Sequence, residues 1–272
     1  MCVGSTRRYT PAPEEPKTAS VANHTTARME YHPSSSSASS SSFAGKTLVI
    51  PVVSHGNVGQ LASDLMVNTS GAARLGCLDH PALLPCVGCG AFSGVGAASS
   101  STAERQLALG MELYGGGDGG DDDGSLVVAQ QRAEVVAGAQ REFARDTARW
   151  IADVGFAEVF IMASMPSTAG VAPEQIGGTR FRHVTTSGSP DPRCEKAGLA
   201  IIESDITPAS LFAGEDDDNE DDEKMNVDEE DAVATTTPAN KPSTPPLLPP
   251  WSLLRACKAI GVKATCVVAI CS

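Results

Sequence analysis

The chain has 272 residues, 41% of them hydrophobic and only 4% aromatic, with a formal net charge of −13. That length admits one domain of ordinary size or two small ones, with a core built from Val, Leu, Ile and Ala. Lys and Arg cluster nowhere, which argues against a nucleic-acid partner, and no apolar run approaches the ~20 residues of a spanning helix, which argues against a membrane partner.

The first stretch, residues 1–44, is rich in Ser, Thr, Pro and Ala and includes a serine block from Ser34 to Ser42. It repeats at neither a helix nor a strand period and reads as a disordered tail. Thr47 to Val53 (TLVIPVV) then forms an apolar, β-branched run, the pattern of a strand buried on both faces. Pro51 cannot donate to a ladder, so this strand must place it at a bulge or beside an unpaired position. The turn Ser54-His55-Gly56-Asn57 follows. Asn57 suits a helix N-cap and Gln60 stands three residues on, the spacing of a capping box. Val58, Leu61, Ala62, Leu65 and Met66 share one helical face, expected to be the buried one, with Gln60, Ser63 and Asp64 opposite.

Ala73 to Leu78 is a second strand candidate, and His80 to Phe92, with Pro81, Pro85, Gly88 and Gly90, reads as a loop. Gly94 to Thr102 is a run of small residues expected to be flexible. Gln106 to Tyr114 and Ser125 to Val136 are strand candidates separated by the turn-forming Gly115 to Gly124. A helix is expected over Ala139 to Val154, with Phe143, Thr147, Trp150, Ile151 and Val154 as its buried stripe and Gly155 as its left-handed stop. Arg141, Arg145 and Arg149, with Glu142 and Asp146 within a turn, form its solvated face. Phe156 to Met162 reads as an inner strand, and the helix before it implies a right-handed crossover.

Phe181 to Thr185 and Leu199 to Glu203 are expected near a sheet edge. Glu215 to Asp231 then holds twelve acidic residues and one lysine and so carries −11 of the net charge, leaving the rest of the chain close to neutral. With the Pro/Thr-rich stretch after it, this gives a disordered insert over 214–250, too polar to offset the entropy of ordering. Trp251 to Ile260, stopped by Gly261, is a short helix and Ala264 to Cys271 a final strand. One α/β domain over 45–213 and 251–272 is the organisation expected.

Three features invite a chemical reading. The glycine turn at residues 54–60 sits where an anion could meet helix amides, but it lacks a third glycine, a following Lys-Ser/Thr and an acidic ribose partner. A tight turn opening a capped helix accounts for it more simply. Cys86-Val87-Gly88-Cys89 is a CxxC pair, and Cys77 and His80 complete a set of four on paper. The spacing matches no familiar zinc module, and Pro85 and Gly88 place the pair in a loop, so coincidence is the favoured account. No G-x-S-x-G elbow accompanies His55, His80 or His183. Eight cysteines without an apolar leader point to a reducing, intracellular setting without disulfides. The acidic run reads first as a solvated linker, and second as an arm attracting basic surfaces.

The segment Val53-Ser54, Gly56-Asn57-Val58-Gly59-Gln60-Leu61-Ala62 and Asp64-Leu65 resembles the opening of the proteasome assembly chaperone 2 (PAC2) family, and the resemblance continues more thinly through Arg74 to Val87 and Phe143 to Met162. It implies a chaperone without a cofactor or catalysis, in cytoplasm and nucleus. The family's chaperone pairs as a heterodimer with a sister, proteasome assembly chaperone 1, and the pair scaffolds proteasome α subunits into the α ring. Gly56, Asn57, Gly59, Gln60 and Asp64 match the family signature. They are expected mainly to build the first strand-turn-helix, with partner contact a second role. The family carries a Pro-Gly-rich turn before its last helix, where Pro245 to Pro250 has no glycine. It also continues past its last strand, where this sequence ends at Cys271-Ser272. The fold expected is α/β, a mixed sheet flanked by helices in a three-layer α/β/α sandwich. The alternative function is a nucleoside- or phosphate-binding enzyme using the 54–60 turn.

Overall fold

Thr47–Pro51 (β2) is the middle of a nine-stranded mixed sheet. A computed structural model describes residues 28–34, 40–89, 107–117, 125–167, 179–202 and 249–271. The sheet runs β1-β3-β6-β7-β2-β8-β11-β9-β10. Its strands are β1 (Glu30–Pro33), β3 (Ala72–Asp79), β6 (Met111–Gly117), β7 (Leu126–Gln131), β8 (Glu158–Pro166), β9 (Phe181–Thr185), β10 (Ala200–Ile201) and β11 (Ala264–Cys271). A separate pair joins β4 (Val87–Cys89) to β5 (Leu107–Leu109). The inner strands β7, β2, β8 and β11 are mutually parallel, whereas β1, β3 and β6 add antiparallel and β9 returns antiparallel to β11.

Helices cover both faces. On one, α2 (Gln140–Val154) and α4 (Pro249–Ala259) pack over Leu48, Ile50, Val127, Val159, Ile161, Cys266 and Val268. On the other, α1 (Val58–Ser70) lies over Val49, Val128, Phe160 and Met162. These two sets alternate along the strands, as the pleat requires, and both faces of the inner strands are apolar because both are covered. A one-turn helix, α3 (Pro192–Lys196), caps the end near β9. The architecture is the mixed α/β/α sandwich read from the pattern.

Pro51 fits its strand for the reason anticipated. The β2–β7 ladder covers Thr47 to Val49 only, and on the other side the Val52 amide donates to the Met162 carbonyl. Donors alternate in direction along a strand, so the nitrogen of Pro51 faces the side where no ladder needs it. The stripe of α2 is buried at Phe143, Thr147, Trp150 and Ile151, and Gly155 ends the helix at φ +80° while its amide caps Ile151 and Ala152. Among the described residues, no helix is long and apolar enough to cross a membrane.

Several expectations need correction. Within the stretch read as a disordered tail, Glu30–Pro33 pairs with β3, and Met29 and Phe43 are core residues. Phe43 stacks on Phe156 and meets the edge of Tyr31, so three spaced apolar side chains outweigh the serines around them. The strand from Gln106 is broken at Gly110 into β5 and β6, and the loop after His80 contains β4. Asp146 is not on the solvated face of α2. It is buried, and its carboxylate accepts from His80 Nε2 at 3.1 Å and from the Arg149 guanidinium at 3.1 Å. Nδ1 of the same imidazole accepts from the Ala82 amide, which fixes the neutral Nε2–H tautomer and ties the end of β3 to α2. The flexible run from Gly94, the glycine-rich turn beyond Gly117 and the acidic insert up to 248 lie outside the described residues.

Candidate interaction surface

The turn after β2 is held from below. Ser54 Oγ accepts from the Ser164 amide and shares a 3.0 Å hydrogen bond with Ser164 Oγ, which also donates to the His55 carbonyl. The chain then reverses through two left-handed residues, Gly56 at φ +68° and Asn57 at φ +54°. Asn57 takes this conformation at less cost than most non-glycine residues. It makes no side-chain cap, so the capping box expected with Gln60 does not form: a left-handed N-cap swings the carboxamide away from the helix amides. Ser54 and the Asn57 amide, which donates to the Ser54 carbonyl, are thus spent within the turn.

Gly59 explains how α1 sits. A Cβ at this position would lie 2.5 Å from the Met162 carbonyl oxygen, so only glycine lets the helix come down onto β8. Gly59, Ser63 and Val67, at i, i+4 and i+8, are the buried residues of α1. On one flank Gln130 Nε2 donates to the Gln60 carbonyl at 2.7 Å and to Asp64 Oδ1 at 2.6 Å. Arg132 donates to both Asp64 oxygens, at 2.8 and 3.3 Å. Asp64 and Gln60 therefore clamp the helix to β7 and the loop after it. Deeper on that flank, Tyr114 donates to Glu112 at 2.8 Å, and burial with this carboxylate neighbour pushes the phenol well above its ordinary range. Arg74 stands 3.2 Å from Glu112 as a charge contact.

This reverses the expected orientation of α1. The stripe Val58, Leu61, Ala62, Leu65 and Met66 is not the buried face: Leu61 is 61% and Leu65 58% exposed, and Val58, Ala62 and Met66 are only half-buried. The small-residue row Gly59/Ser63 packs closer than a leucine row could, and the sheet takes that row. The signal was present in the sequence, since Gly59 and Ser63 are four apart on the face opposite Leu61. Arg132 and Gln130, which hold Asp64, carried no such signal because their partner is some 70 residues away in sequence.

Along the same side of the sheet, Met162 and Val267 sit side by side, both half-buried. Beyond them Arg193 forms the hub of an ion cluster. It binds Glu158 at 2.6 and 2.8 Å and Asp191 at 2.8 and 3.1 Å, and its guanidinium lies 4.8 Å from the Phe160 ring centroid. Lys263 adds 3.0 Å to Glu158. The Arg193 hydrogen bonds hold the Glu158 carboxyl down at about 2 and Asp191 lower still.

Leu84, Val87, Leu107 and Val136, each at least 40% exposed, surround the β4–β5 pair. A cleft of about 200 Å³ opens between the end of β2, α2 and α4, lined by Ile50, Val52, Phe143 and Leu253. Cys86 is an exposed free thiol, and among the described residues no three His, Cys, Asp or Glu side chains gather as a metal site. His183 is buried and accepts from the Asp191 amide.

Comparison with known proteins follows the same lines. The chain is 34% identical over 149 residues to Proteasome assembly chaperone 2 of Nematostella vectensis, covering 54% of this chain and 57% of the relative. It is 29% identical over 143 residues to the Homo sapiens protein of that name, covering 53% and 50%. The chain thus spans about half the length of the curated relatives it matches. The crystal structure of Pyrococcus furiosus PbaA, an archaeal homolog of proteasome-assembly chaperone, superposes with a TM-score of 0.53 at 11% identity, covering 90% of this chain and 73% of that one. At that identity the fold is what is shared. The model of the PAC2 family matches residues 48–272, and the chain belongs to that family.

Proposed function

We propose that the chain is a proteasome assembly chaperone that pairs with a sister chaperone of its family as a heterodimer and promotes assembly of the core-particle α ring. The observation that supports this reading is the family match over residues 48–272, which takes in the sheet's strands from β2 to β11 and leaves out only the edge strand β1. The work is done by surface complementarity. A folded pair holds the exposed edges of α subunits until the next subunit buries them, and disfavours assemblies that would close too early. The chain catalyses nothing in this account, uses no cofactor, and acts in cytoplasm and nucleus.

The test is co-purification. Tagged full-length chain, co-expressed with the sister chaperone and α subunits, is expected to bring down both in one complex. Recovery of the tagged chain alone would overturn the reading. A melting series with nucleotides and inorganic phosphate checks the enzyme alternative, because a ligand raises stability by RT ln(1 + [L]/Kd). No shift is expected.

A further inference from the structure

We infer that Leu61 and Leu65 on the outer face of α1 form the centre of the surface that receives the sister chaperone, with Val58, Met66 and the neighbouring Met162–Val267 strip around them. The inference rests on the heterodimer reading above and names the surface it would use.

The contrast between two helices of the same molecule carries the argument. The outward side of α2 shows Arg141, Glu142, Arg145 and Arg149, all exposed, as a helix facing water does. Asp64 is the one charged residue within α1, and it is bound to Arg132 and Gln130 at the flank. What α1 turns outward is two leucines more than half exposed, in a chain whose formal net charge is −13. Large apolar side chains with no charge among them mark the core of an interface rather than a solvated surface.

Area decides what kind of partner fits. A helix of 13 residues is about 20 Å long and, at a width of roughly 10 Å, offers far less than the ~800 Å² per partner that a stable complex buries. A lone peptide helix laid on α1 falls short. The occupant must be a folded body reaching past the leucines to the half-buried Met162 and Val267 and to the exposed turn at 55–57. A subunit of the same fold, presenting its own α1 face, meets that need through helix-on-helix packing about a pseudo-twofold axis. Charge separates the sister from a second copy. Two copies would carry two acidic runs of −11 into one complex, which disfavours self-pairing.

The experiment uses the full chain co-expressed with the sister chaperone, read by light scattering after gel filtration and by titration. Wild type is expected as a 1:1 heterodimer. Leu61→Arg with Leu65→Arg should leave the melting temperature of the isolated chain within a few degrees and weaken sister binding a hundredfold or more; Arg145→Glu on α2 should bind as wild type. If the double arginine variant does not fold, Leu61→Ser with Leu65→Ser replaces it, with at least a tenfold loss expected. Undiminished sister binding by a folded variant would overturn the surface while leaving the heterodimer intact. A wild-type chain that never binds the sister would overturn the heterodimer itself. A wild-type homodimer dissolved by the same substitutions would assign the face to a second copy and overturn the choice of partner.

Discussion

A side chain at Gly59 would collide with backbone, and backbone cannot step aside as a flexible side chain can. Gly59→Ala places its Cβ 2.5 Å from the Met162 oxygen, so either α1 lifts or β8 bends. A loss of roughly 1–3 kcal/mol is expected, read as a lower urea midpoint with unchanged slope. Substitution at Gly56 acts differently: a Cβ there meets only the Val58 side chain, at an ordinary 3.9 Å, and the strain comes from φ +68°. The Glu158 carboxyl, held at about 2 against an ordinary 4.5, adds stability above about pH 4.5 that is lost as pH falls toward 2. Arg193→Met removes the main cause. The variant is expected to be less stable than wild type at pH 7, and the gap between them should narrow between pH 4.5 and pH 2.5. Urea midpoints across that window check it, and a constant gap would mean that Arg193 acts through its packing on Phe160 instead.

Among the elements, α4 shows how a helix can be seated by a short buried stripe. Trp251, Leu254 and Cys257 are fully buried, each three residues from the next, against α2 and the sheet. Burial pushes the Cys257 thiol up to about 12, so it behaves as a small apolar group rather than a reactive one. Trp251→Ala empties the largest fully buried side chain in the described structure. The expected cost is about 3–5 kcal/mol, seen in a thermal melt, and a loss under 1 kcal/mol would mean that α4 contributes little to the core. Helix α1 obeys a different rule. Its most apolar residues are not its most buried ones, because the distance at which a helix settles on a sheet is set by its smallest row, Gly59 and Ser63. The leucines are left outside for something else to cover.

For the molecule as a whole, the last strand matters most. β11 lies between β8 and β9, paired along eight residues with the former and five with the latter. A chain ended at residue 248 loses both α4 and an inner strand, and exposes Ile161, Ala163 and Val184. It is expected to melt without a cooperative transition and to bind a hydrophobic dye at room temperature; a sharp melt would show that β8 can serve as an edge. The family match spans this same stretch to the final strand.

The sequence by itself determined the strands whose apolar runs are unbroken, β2, β8 and β11, and the helix α2, whose stripe and glycine stop agree with each other. These are local patterns, and a chain segment carries them wherever it sits. Its resemblance to the PAC2 family was also legible there, in Gly56 to Asp64. Only the tertiary structure decided which face of α1 turns inward, that Asp146 belongs to His80 and not to water, and that Met29, Tyr31 and Phe43 anchor a strand amid serines. Each of those outcomes depends on a partner brought close by the fold from dozens of residues away, and no period within a single element records that distance.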